Sequence, residues 1–119
     1  MEVLPFAVHR SLPVGGALSY TSFQRLQVDP DRYSTELQSW LEAFPRAAWA
    51  YPGLQDIRVL GSQDRSCLHI LMAWESQSQF TAFMEGDFWQ FWEPYLTQLR
   101  ASGVVLQYQH HHQLFELIE

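Results

Sequence analysis

Three adjacent histidines, His110, His111 and His112, are the densest group of side chains in this chain able to bind a metal or move a proton. Imidazole does either near neutral pH because its ordinary pKa lies close to 6.5. A bound metal needs three or four converging ligands, so the backbone must aim the rings together. The stretch "QLFELIE" follows the run and continues an alternating pattern, so the histidines belong to a strand of the fold. In a strand His110 and His112 share one face about 6.5 Å apart, and His111 points to the other. That pair supplies only two ligands, with no cysteine or carboxylate at ligand spacing beside it. The expectation is therefore no bound metal. His110 and His112 are retained as candidates only if symmetry brings two such pairs together, and are otherwise residues of an interface or an exposed strand. A fourth imidazole, His69, lies in the apolar segment "CLHILMAWE" beside the single cysteine, Cys67.

These side chains must be positioned by a small protein. A chain of 119 residues with 47% apolar and 15% aromatic content is expected to form one globular domain with one core. Seven arginines, no lysine and a net charge of −6 exclude Schiff-base chemistry. They also argue against nucleic acid or an anionic membrane as partner, because no basic run replaces counterions. One cysteine permits no internal disulfide and suits a reducing cytoplasm, where an inert buried thiol is the expected state of Cys67. The N-terminal "MEVLPFAVH" lacks the basic start of a signal peptide, and no apolar run reaches the ~20 residues of a membrane span.

Residues 1–16 end in Pro13, Gly15 and Gly16 and read as an arm, with a short strand at 3–9 allowed; residues 17–119 read as the domain. "ALSYTSFQRLQV" (17–28) has the β-branched and aromatic content of a strand. Asp29-Pro30 then looks like a helix N-cap and first residue, followed by Tyr33, Leu37, Trp40, Leu41 and Phe44 at helical spacing. Pro45 should end or kink that helix. A "YPGL" turn precedes the strand "LQDIRVLGS", a hairpin through "SQDRS" leads to "CLHILMAWE", and Ser76 with Gln79 has capping-box spacing. Phe80, Phe83 and Met84 form the apolar face of the next helix, which breaks at Gly86-Asp87; the stripe resumes through Phe88, Trp89, Phe91, Trp92, Tyr95, Leu96 and Leu99. Pro94 in that stripe favours two short helices or a kink. After Ser102-Gly103 comes the last strand.

The order β-α-β-β-α-β predicts an α+β, ferredoxin-like fold: one antiparallel sheet, expected strand order 4-1-3-2, with both helices on one face. Along the third strand Leu68, Ile70, Met72 and Trp74 point one way, and Cys67, His69, Leu71 and Ala73 the other. Both faces are apolar, whereas a half-solvated strand should alternate. A second copy of the same sheet is the expected cover, giving a homodimer packed sheet to sheet; the arm is the alternative.

"YPGLQDIRVLGSQDRSCLHILMAWESQSQFTAFMEGDFWQFW" resembles the antibiotic biosynthesis monooxygenase family of dimeric α+β barrels. The Pro-Gly turn, the hairpin, Trp74-Glu75-Ser76, and Phe80 with Phe83 on the next helix carry the likeness, which covers roughly residues 18–118. It implies a pocket between sheet and helices, walled by Tyr20, Gln24, Trp40, Phe44, Phe83, Trp92 and Tyr95 and suited to a flat aromatic or polyphenolic small molecule. The alternative is that these side chains fill the core. The family includes oxygenases that turn polycyclic phenols into quinones without a cofactor. For that chemistry the resemblance implies Gln24 as donor to a developing oxyanion and His69 as base, catalytic roles that need no cofactor. In the haem-degrading branch, the site's Asn, Trp and His positions fall here on Gln24, Phe83 and Glu93, so two of the three roles are missing and that route is disfavoured. A non-catalytic small-molecule binder of the same fold is the alternative function, with metal or haem handling a third.

Overall fold

The computed structural model describes residues 18–116; the arm, with its allowed strand at 3–9, lies outside the described residues. Strand β1 (Leu18–Val28) leads through a short 3-10 turn (Pro30–Arg32) into helix α1 (Thr35–Trp49). Strands β2 (Leu54–Gly61) and β3 (Cys67–Trp74) form a hairpin, helices α2 (Gln77–Met84) and α3 (Asp87–Ala101) follow, and β4 (Val105–Glu116) closes the sheet. The sheet order is β2-β3-β1-β4 with every pairing antiparallel, as the element order predicted.

Local differences from expectation each have a cause. Asp29 does act as a cap, but of the 3-10 turn, accepting from the Asp31 amide. Ser34 caps α1 by accepting from the Leu37 amide at 3.0 Å, so the helix begins later than Asp29-Pro30 suggested. Neither Pro45 nor Pro94 ends its helix. Each removes one N–H, yet on both sides of each proline the helix carries buried side chains, Leu41, Phe44 and Ala48 around Pro45 and Trp92, Leu96 and Leu99 around Pro94. Burying large apolar side chains contributes roughly 1.5–3 kcal/mol apiece, which outweighs a proline penalty of about 3 kcal/mol. The break between α2 and α3 falls at Gly86, as expected. A Cβ there would lie 1.7 Å from the Tyr51 hydroxyl, so only glycine admits that tyrosine at the joint.

One face of the sheet, through Tyr20, Leu26, Leu68, Ile70, Met72 and Trp74, packs with α1, α2 and α3 into a single core. Phe44, Phe80, Phe83 and Trp92 have no exposed surface there. On the other face, Thr21, Cys67, Leu71 and Ala73 are also buried, although the three helices pack on the first. No helix among the described residues is long and apolar enough to cross a membrane.

Candidate functional site

Strand β1 places an unusual row of polar residues under the helices. Tyr20, Ser22, Gln24 and Leu26 alternate onto the core face, and Ser22 and Gln24 have no exposed surface. The register with β4 sets Gln24 opposite His110 and Ser22 opposite His112. Both histidines therefore face the helices, and His111 faces away.

Gln24 lies at the centre of this row. Its Oε1 accepts from the Tyr108 hydroxyl at 2.8 Å and from Trp92 Nε1 at 3.3 Å. The indole N–H of Trp92 can only donate, so it fixes the amide's orientation: turning the amide over would set its NH2 against that donor. Gln24 Nε2 is then buried with no partner among the described residues. A buried unpaired donor costs about 1–3 kcal/mol.

The histidines form a second layer. Ser22 Oγ lies 2.9 Å from His110 Nε2 and the Tyr20 hydroxyl 2.6 Å from His112 Nδ1. The two imidazoles are 5.0 Å apart between ring centres, with Trp89 at 5.4 Å from His110 and Phe80 at 5.2 Å from His112. Burial, followed by the neighbouring His112 and His111, pulls the His110 pKa down to about 4, so the ring is neutral at pH 7. Burial, reinforced by Glu93 and opposed by Arg100, pushes the Tyr108 hydroxyl well above the usual tyrosine range and keeps it a donor.

Beside this network opens a cleft of about 320 Å3, lined from α3 by Trp89, Trp92, Glu93, Leu96, Thr97 and Arg100 and from β4 by Tyr108 and His110. That volume is at the small end for ligand sites. Gln24 sits behind its wall, bonded to two of the lining residues and paired across strands with a third.

The other expected site residues are distributed differently. Trp92 lines this cleft, but Phe44 and Phe83 are fully buried core residues, their rings 6.2 Å apart. Trp40 stacks on Tyr95 at 5.4 Å along the seam between α1 and α3. Tyr20 reaches the site only through His112. His69 requires a correction of placement: it pairs with Arg25, not Gln24, and so lies on the opposite face of the sheet. There its Nε2 is 3.3 Å from Cys67 Sγ and its ring 5.3 Å from Phe23, and burial, then Arg25, lowers its pKa. No strand residue of that parity can join Gln24. At the positions that the haem-degrading branch uses, Phe83 and Glu93 offer no imidazole to iron. Among the described residues no group of three or more metal-ligating side chains converges.

Sequence reasoning named Gln24 and Trp92, the second of which lines this cleft, but did not name Tyr108, Trp89 or Arg100, and it read His110 as a metal-ligand candidate or a residue of an interface or exposed strand. The available signal was parity: Tyr108, His110 and His112 alternate on one face of β4, and one register fixes which way all three point.

Comparison with known proteins adds the fold. No family model matches the chain and no curated protein matches it in sequence. Solved structures do match. The cofactor-independent oxygenase SnoaB from Streptomyces nogalater is 19% identical with a TM-score of 0.56, over 85% of this chain and 94% of that one. A candidate antibiotic biosynthesis monooxygenase from Nitrosomonas europaea is 16% identical with a TM-score of 0.59, over 88% and 94%. Rv0793 from Mycobacterium tuberculosis is 13% identical with a TM-score of 0.63, over 85% and 96%. The chain thus carries the α+β, ferredoxin-like fold of the antibiotic biosynthesis monooxygenase proteins, with Gln24, Tyr108 and His110 as its own polar interior.

Proposed function

We propose that the protein is a cofactor-independent monooxygenase acting on an aromatic or polyphenolic small molecule held between β4 and α3. The observation that carries this reading is the unpartnered Gln24 Nε2 behind an aromatic-walled cleft. An oxyanion developing on a bound phenol would satisfy that donor, and a pre-aimed donor in a water-poor site favours charge where it forms. His110 replaces His69 as the proposed base. Its neutral ring can take a proton from the substrate, and the anion left beside it offsets the burial that otherwise disfavours imidazolium. The substrate anion then passes one electron to dioxygen, the resulting substrate radical and superoxide combine into a carbon-bound peroxide, and that peroxide takes back the proton held by His110 and loses water to leave the quinone, with one oxygen atom in the product and the other in the water.

The test is oxygen uptake with a panel of anthrone-like and polyphenolic substrates, without added metal or flavin. Turnover that falls at least tenfold in Gln24→Leu and in His110→Gln is expected. A panel with no turnover at all would end this reading.

One observation favours a second, non-catalytic reading. His110, held at about pKa 4 without ligand, lies far from the near-neutral value at which a general base works best. A binder of the same ligand class would show saturable binding and no oxygen uptake.

Two further parts of the proposal concern assembly and setting. On the face opposite the helices, β3 presents the apolar side chains Leu71 and Ala73. We assign that face to a homodimer packed sheet to sheet, with each protomer keeping its cleft on the helix side. The single, buried Cys67 suits a cytoplasmic setting.

A further inference from the structure

A second cavity, of about 260 Å3, opens at the edge of the sheet away from β4, between α1 and the β2–β3 hairpin. From α1 it takes Gln38, Leu41, Glu42 and Pro45, one helical face at three- and four-residue spacing. The hairpin adds the apolar side chains of Val59, Leu60 and Leu68. The polar groups come from two sides. On the α1 side the Tyr33 hydroxyl donates to Gln38 Oε1, and Gln38 Nε2 donates to Glu42 Oε2 at 2.8 Å. That line of bonds orients the Glu42 carboxylate and leaves it further acceptor positions.

From the hairpin side comes Arg65. Its backbone is left-handed, at φ +65°, the one such residue other than glycine among those described. Glycine or asparagine takes this conformation at lower cost, so arginine stands here in spite of its backbone. Such an outlier points to work done by the side chain. The guanidinium lies 5.3 Å from the centre of the Tyr33 ring, and the attraction of a cation for the ring face holds it at the cavity. Burial raises the pKa of the Tyr33 hydroxyl; behind it Arg65 pulls that pKa down and Glu42 pushes it up, so both charges stand near one group. Neither Arg65 nor Glu42 has an ion-pair partner among the described residues.

We infer that this cavity binds a small zwitterion, an aliphatic α-amino acid whose carboxylate is held by Arg65 and whose ammonium is held by Glu42. Its side chain lies against Leu41, Val59 and Leu68. A lone anion is repelled by Glu42 and a lone cation by Arg65, so the two together select a ligand that carries both charges. The guanidinium takes a carboxylate through two parallel hydrogen bonds, and an ammonium is a compact donor to a carboxylate. The volume lies below the range of drug-sized sites and suits a molecule of amino-acid size. The cavity shares no residue with the cleft between α3 and β4, so the inference stands whether or not that cleft is catalytic.

The experiment is calorimetric titration of the full chain with L-leucine, with N-acetyl-L-leucine, which lacks the ammonium, and with L-leucinamide, which lacks the carboxylate. L-leucine should bind saturably with a Kd of about 1 mM or tighter. Each blocked compound should bind at least tenfold more weakly. Arg65→Gln should abolish the difference between L-leucine and L-leucinamide, and Glu42→Gln the difference between L-leucine and N-acetyl-L-leucine. Both side chains are exposed, and circular dichroism checks that each variant keeps the fold. Arg65→Gly, which suits the left-handed backbone, should lose binding in the same way. No saturable binding of L-leucine, blocked compounds that bind as tightly as L-leucine, or preferences that survive these substitutions overturn the inference.

Discussion

Gln24 shows how one side chain can be both anchor and vacancy. Its oxygen holds Trp92 and Tyr108, and its nitrogen has no partner among the described residues. Gln24→Leu removes the orphan nitrogen but strands the Trp92 N–H and the Tyr108 hydroxyl in the interior. We expect a net loss of about 1–3 kcal/mol in urea unfolding, because two abandoned donors outweigh one relieved. A neutral or stabilising result would mean that the two bonds contribute little.

His110 yields a pH prediction at the same scale. Its pKa is about 4 folded and near 6.5 unfolded, so between those values the unfolded chain binds more protons. Stability contributed by this group is whole above about pH 6.5 and is lost as pH falls toward 4, up to a few kcal/mol at most. Unfolding curves from pH 7 to pH 4 should show this decline, and His110→Gln should flatten it. A variant as acid-sensitive as the parent would place the effect elsewhere.

At the scale of elements, α3 is continuous through Pro94 because Trp92, Leu96 and Leu99 hold both halves against the core. The proline is exposed and leaves the Gln90 carbonyl without its helical donor. Pro94→Ala should therefore stabilise the protein by roughly 1–3 kcal/mol, read as a higher midpoint in thermal or urea unfolding. If the midpoint fell, the proline would be setting the path of α3 against β4. The same contest explains which sequence signals held. Capping at Ser76, the Pro-Gly turn with Gly53 at φ +93° and the break at Gly86 are local and came through. The proline stops at 45 and 94 depended on nothing stronger opposing them, and tertiary burial did.

For the whole molecule, the covered second face of the sheet is the main quantity to test. Phe23 is half-buried there, against His69 and in register with His111. Phe23→Glu should convert a dimer to a folded monomer in sedimentation equilibrium, because a solvated carboxylate is tolerable on a free face and costly inside an interface. A parent protein that sediments as a monomer at high concentration would remove the assembly from the proposal.

By itself the amino-acid order determined the element sequence, the β2-β3-β1-β4 sheet and the aromatic stripe of α3, because hydrophobic period and turn chemistry are local properties. It even contained the alternation that sets His110 apart from His111. Only tertiary structure decided which parity faces the helices, since a strand with period two reads the same with its faces exchanged. That single choice put His69 behind the sheet and His110 beside Gln24, and so moved the proposed chemistry from the third strand to the fourth.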